Sequence, residues 1–283
     1  MPPRKTPTAR QRRLGAELRR LRERAGLAVR EAGELLGVDP ARISSIEAGR
    51  FGVSAQRVRT FAFHYGCTDE ALIDALAAMA GTRQRGWWEE YRDKLPASLL
   101  DLAEVEHHAT ALRSAQVMHL PGLLQTPAYA RLIFQQAIPT PPHHEVEYRL
   151  SHRMKRQAVL YRDPPVPFTA VIHEAALRMQ VGDREVRAAQ LRHLIEMSHK
   201  DNVTVLVIPF DAGIFPGSGQ TVVLAQGPVP QLDTVQLDTE HGSELIYTEA
   251  LVDMYRVVVS RMESMALGAH ESREFLEAAL AAC

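Results

Sequence analysis

The stretch Gly26–Gly49, GLAVREAGELLGVDPARISSIEAG, constrains this chain more than any other. It reads as two short helices joined by a tight turn. Ala32, Leu36, Ile43 and Ile46 supply the apolar contacts of two crossing helices. Gly33 is small where those helices approach most closely, and Gly37 falls where the first must stop. A glycine past a last turn takes the left-handed conformation without a Cβ penalty. Asp39 then offers a carboxylate to cap the second helix, and Pro40 sits at its first position, where no N–H is needed. Turn chemistry and apolar spacing agree here, beyond what an ordinary pair of core helices requires.

Charge is divided along the chain. Residues 1–66 hold 14 Lys and Arg against 6 Asp and Glu, a balance of +8, whereas the remaining 217 hold 19 against 28, a balance of −9. A basic head on an acidic body points to a polyanionic partner for the head. With 283 residues there is room for two domains. No apolar run approaches the ~20 residues of a membrane span and no leader resembles a signal peptide, so a cytoplasmic protein without a membrane partner is expected. Cys67 and Cys283 are too few and too scattered for a disulfide framework or a zinc site.

Taken in order, residues 1–9 (MPPRKTPTA) read as a flexible arm. A helix follows over about 10–25, with Leu14, Leu18 and Leu21 on one face. Beyond the paired helices, Ser54 caps a fourth helix with Val58, Phe61, Ala62 and Tyr65 inward, and a fifth runs over about 68–80. The polar, glycine-bounded GTRQRG (81–86) marks a domain junction, and Trp87, Trp88 and Tyr91 read as docking anchors of a connecting helix. The predicted domains are therefore 1–80, a connector over 81–96, and 97–283. In the last, helices over about 97–108, 127–137, 143–162, 183–199, 249–265 and 270–281 alternate with strands near 111–118, 166–172, 203–209, 221–225, 234–238 and 244–248. That is a mixed α+β domain with a small sheet.

Gly33, Gly37, Ile43 and Ile46, the SSIEAGR ending (44–50) and the flanking apolar helices resemble the repressor/Cro-like (XRE) family of helix-turn-helix proteins over roughly the first 80 residues. The resemblance implies a five-helix DNA-binding domain. One position departs from it: Val29 stands where the family usually has a glutamine that meets a phosphate and braces the recognition helix. A second resemblance spans nearly the whole chain. The Trp-Trp segment, PGLLQT-x-x-YA (121–130), HRMKRQ with Arg153, and HEAALR (173–178) look like a group of actinobacterial regulators that join such a head to a domain of unassigned biochemistry. That group implies transcriptional control, often beside a small partner protein, and assigns no catalytic residue.

By the family pattern the outward positions of the recognition helix are Pro40, Ala41, Arg42, Ser44 and Ser45. Arg42 can make the bidentate contact to guanine O6 and N7, or clamp a phosphate, while Pro40 and Ala41 offer apolar contact only. With so few donors, backbone and shape recognition must contribute much. Arg10, Arg30, Arg50 and Arg57 are the phosphate candidates, because loops and helix starts beside a recognition helix meet the backbone. His107-His108, with Glu104 on the same face, and His143-His144 lack a sequence-linked third ligand, so no metal is expected. His173-Glu174 reads more simply as a strand end and helix start, with Glu174 favoured near the helix N-terminus. Gly217–Gly219 reads as a hairpin loop, and no hydrolase, metalloprotease or nucleotide-binding string is present.

The expectation is a sequence-specific DNA-binding regulator with no cofactor and no enzymatic activity, partnered by double-stranded DNA. It is expected to be a homodimer whose C-terminal domain dimerises and receives a small-molecule or protein signal. Leu251, Val252, Met254, Val257, Val258 and Met262 are apolar on more than one helix face, so one face can pack on the sheet and the other on a second chain, unless both partners lie within the same domain. The alternative is an antitoxin-like or adaptor protein whose acidic body binds a small partner that modulates DNA binding.

Overall fold

The computed structural model describes residues 6–81, 86–217, 219–239 and 242–283. The first five residues of the expected arm, the core of the expected junction (82–85) and the middle of the Gly217–Gly219 loop lie outside them. Contacts divide the chain into two compact units, Met1–Gly86 and Trp87–Cys283.

Among the described residues, the first unit holds five helices: α1 (Ala9–Arg24), α2 (Val29–Leu36), α3 (Pro40–Glu47), α4 (Ala55–His64) and α5 (Glu70–Gly81). Each start has a local cause. The Thr8 hydroxyl accepts the Gln11 N–H while the Gln11 side chain accepts the Thr8 N–H, a reciprocal cap. Asp39 accepts the Ala41 N–H at 2.7 Å and Ser54 accepts the Arg57 N–H at 3.3 Å. Leu18, Ala32, Ile43, Val58, Phe61 and Leu76 fill the core. Gly37 takes φ +62° and ends α2, as its position in the sequence suggests. A Cβ on Gly33 would stand 2.6 Å from the Val38 carbonyl oxygen, so the α2–α3 turn closes only over a glycine. Gly15 has the same role between α1 and α3, where a Cβ would meet the Glu47 carbonyl oxygen at 2.4 Å.

The second unit is α+β. Its described elements are α6 (Ala97–His108), β1 (Ala111–Gln116), α7 (Pro127–Gln135), α8 (His143–Arg156), β2 (Phe168–His173), α9 (Glu174–Arg178), α10 (Arg184–Met197), β3 (Val203–Ile208), β4 (Val222–Gln226), β5 (Thr234–Thr239), β6 (Gly242–Ile246), α11 (Glu249–Met265) and α12 (Ala269–Ala281). The helix expected to reach residue 162 stops at Arg156 and continues as a 3-10 turn over Gln157–Leu160. Among the described residues, six strands form one mixed sheet in the order β3-β2-β1-β4-β5-β6. β1, β2 and β3 run parallel, as crossover helices require, while β4, β5 and β6 are added antiparallel.

Residues 87–96, read from sequence as part of a connector, pack inside this second unit. Trp87–Tyr91 form a 3-10 turn rather than a connecting helix. Trp88, Tyr91 and Leu95 are buried with Leu100 and Ala103 of α6. One face of the sheet (Val222, Leu224, Val235, Leu237) packs on Val252, Tyr255 and Val259 of α11. On the other face, Ala170, Ile172, Val205 and Val207 join a core cluster with Leu191, Leu194 and Leu276 from the helices.

Candidate functional site

In the first unit, α3 is held from beneath and open above. Ile43 and Ile46 are buried at 0% and 3% exposure, which turns the opposite side of this two-turn helix outward. Pro40, Ala41, Arg42 and Ser44 are exposed and Ser45 is half-buried, its carbonyl accepting the Arg50 and Phe51 N–H groups. The guanidinium groups of Arg42 and Arg50 are exposed and make no ion pair among the described residues. Arg30, 85% exposed at its side chain, pairs with Glu34 at 3.1 Å, a surface pair weak enough to exchange for a phosphate. Arg57 is half-buried, its guanidinium 5.8 Å from the Phe61 ring, beside the start of α4. Arg10 is drawn inward, its Nη2 donating to the Ala78 carbonyl at 3.4 Å. Val29, half-buried, opens α2 beside the exposed Arg30.

What aims α3 is a contact that sequence spacing did not reveal. Arg22 of α1 grips Glu47 at the end of α3 through two hydrogen bonds of 2.6 and 2.9 Å, and both side chains are buried. The same guanidinium donates to the Leu27 carbonyl at 2.7 Å, tying the turn before α2 to the pair. Glu47 lies within the SSIEAGR string, whose acidic residue is thereby given a structural role. The phenol of Tyr65 is pushed up to about 12 by burial, with the Glu47 charge adding to the effect.

In the second unit the unusual strings converge. Gln125 of PGLLQT receives the Arg153 Nη1 donor at 2.5 Å, while its own amide donates to the Leu120 carbonyl at 2.8 Å. Gln157, four residues beyond Arg153, donates to the Gln125 backbone carbonyl at 2.8 Å. Gln190 of α10 closes the other side, accepting from Thr126 N at 2.8 Å and donating to the Leu124 carbonyl at 2.7 Å. Arg156 is locked to Glu106 of α6 by bonds of 2.7 and 2.6 Å. The strings PGLLQT and HRMKRQ are thus two halves of one cluster.

Of the histidine candidates, His107, His108 and His173 are held in packing or capping contacts, while His143 and His144 are exposed at the start of α8. His107 and His108 lie against Trp88, their ring centroids 5.0 and 6.2 Å from it. His152, 1% exposed, sits 5.2 Å from both Trp87 and Tyr91. His173 Nδ1 accepts the Ala175 N–H and starts α9, and the adjacent Glu174 accepts from Phe210 N and Arg178. Among the described residues, no helix is long and apolar enough to cross a membrane.

Comparison with known proteins agrees with this two-part arrangement. Residues 13–76 match a helix-turn-helix domain, and residues 99–278 match a domain of unknown function, DUF5753. No curated protein and no solved structure matches the chain. The second match covers more than half of the sequence, so the chain belongs to the DUF5753 family, with a helix-turn-helix domain ahead of that domain.

Proposed function

We propose that this protein is a sequence-specific transcription regulator of the repressor/Cro-like kind, acting as a homodimer whose C-terminal domain dimerises and receives a signal. The observation that carries the reading is the outward face of α3, where Arg42 stands exposed and free of internal ion pairs among the described residues. A recognition helix places such residues against base edges in the major groove, and flanking arginines such as Arg50 against phosphates. One helix reads only a few base pairs, so two-fold pairing is needed to find an operator in a genome. The reading assigns the protein no catalytic reaction.

The test begins by selecting a preferred duplex for the full-length chain from a random pool. Arg42→Ala should then lose roughly 1–3 kcal/mol on that duplex and relax the choice at one base pair. Arg50→Ala should weaken all sequences about equally. An Arg42→Ala chain that keeps its sequence ranking while binding everything more weakly would make Arg42 a phosphate clamp. Failure of the parent chain to enrich any sequence would sink the regulatory reading itself.

A further inference from the structure

The face of the sheet opposite α11 changes character halfway across. On β2 and β3 it carries Ala170, Ile172, Val205 and Val207, packed into the main core. On β1 and β5 the same face carries Ser114, Gln116 and Gln236, which are 2%, 6% and 2% exposed. Register places Ser114 opposite Val223 of β4, and Val223 opposite Gln236, so the polar groups line one floor. Above that floor, between the strands and the helices, lies a cleft of about 360 Å³. Its size is at the lower end of small-molecule pockets.

We infer that this cleft binds a small organic carboxylate, with Arg153 as the anion anchor and Ser114, Gln116 and Gln236 as the polar floor. The inference deepens the proposed function by naming the chemistry of the signal, and rests on that reading for its regulatory meaning.

Arg153 is held as an anchor would be. A Cβ on Gly122 would stand 2.9 Å from its Nη1 and 3.1 Å from its Cζ, so the glycine of PGLLQT makes the space for the guanidinium. Gln125 takes one donor at 2.5 Å, and the Phe134 ring lies 4.8 Å from Cζ. The neighbouring cation, Arg156, is neutralised by Glu106. Arg153 has no such acid within ion-pair distance among the described residues, and its Nε and Nη2 make no hydrogen bond there. Burial and the charge of Arg156 pull its pKa down, although a guanidinium stays protonated at neutral pH. A planar two-oxygen acceptor fits the unused Nε–Nη2 edge of the fork and would pair directly with a guanidinium that has no acid in contact among the described residues.

The remaining lining narrows the ligand. Leu99, Leu102, Leu123 and Ile133 form an apolar wall, so part of the molecule is hydrocarbon. The floor is internally bonded only in part: Gln116 donates to Ser114 at 3.0 Å, Thr221 donates to Gln116 at 3.1 Å, and Gln236 donates to Asp238 at 2.6 Å. The Gln236 side-chain carbonyl accepts no hydrogen bond among the described residues and is left to accept a ligand donor. Glu106, paired with Arg156, and Asp238, whose charge favours the protonated Arg153, also line the cleft, so a single negative charge meets less repulsion there than a phosphate dianion would.

Titration of the full-length chain with benzoate, phenylacetate and 4-phenylbutyrate, beside their primary amides and phenyl phosphate, tests this by ligand-observed NMR. At least one acid should bind about tenfold or more tightly than its amide, and no more weakly than phenyl phosphate. Arg153→Gln should abolish that preference, and Gln236→Leu, which keeps the cation, should weaken the acid by about threefold or more. Equal binding of acids and amides, or no acid bound at about 10 mM, overturns the inference. Tighter binding of phenyl phosphate than of every acid overturns the choice of carboxylate. Should Arg153→Gln fail to fold by circular dichroism, the acid–amide ratio and Gln236→Leu decide. DNA is absent from this assay, so acid binding by a chain that selects no operator would sink the regulatory reading and leave the site, and the reverse result would do the opposite.

Discussion

His152 shows how a single residue can tie the second unit to pH. Burial against Trp87 and Tyr91 lowers its pKa to about 3, with Arg156, Arg153 and Lys155 adding charge repulsion. Its Nε2 has no hydrogen-bond partner among the described residues, so the folded state holds it neutral. The unfolded chain takes up a proton below the ordinary histidine value near pH 6.5, and the folded chain does not. Stability from this group is therefore complete above about pH 6.5 and is lost as pH falls towards 3, by at most roughly 1.4 kcal/mol per pH unit. Denaturant melts between pH 7 and 5 should show a steeper loss for the parent than for His152→Gln. Parallel pH slopes would mean that His152 titrates equally in both states. At this scale the sequence disclosed what is local: Gly37, Asp39 and Pro40 act within two or three residues of themselves. It did not disclose Gly15, Gly122 or the Arg22–Glu47 pair, whose partners lie across the fold.

Helix α11 carries the argument at the level of elements. Val252, Tyr255, Val259 and Met262 turn inward and are buried, so Val252 and Met262 belong to the face that packs on the sheet. Leu251, Met254 and Val257 stay 43%, 47% and 66% exposed, as expected of a helix with a second apolar side. The proposed homodimer uses that side, and charge there should oppose it. At micromolar concentration the full-length chain should sediment as a dimer, and the double variant Met254→Asp, Val257→Asp as a folded monomer. A variant that remains dimeric would move the interface off this side of α11. The Trp segment shows why element type was harder to read than element position. Aromatic spacing marked it as an anchor, but five residues carry too little periodicity to separate a 3-10 turn from a helix.

For the whole molecule, the division of charge between +8 and −9 sets how DNA is met. If ~6 phosphates are neutralised by a pair of heads, log K should fall against log salt with a slope near −5. Fluorescence anisotropy across a salt series measures it, and a flat response would remove the electrostatic argument. Residues 87–283 alone should give no shift on the same duplex. The sequence by itself determined the two-part plan, the helix-turn-helix and the place of each described strand, because caps, turn glycines and hydrophobic period act over a few residues. Strand order, the burial of residues 87–96 and the meeting of Gly122, Gln125 and Arg153 were decided only by tertiary structure. Pairing between strands far apart in sequence, and a cation cradled by a turn 28 residues away, depend on how faces pack and leave no periodic trace along the chain.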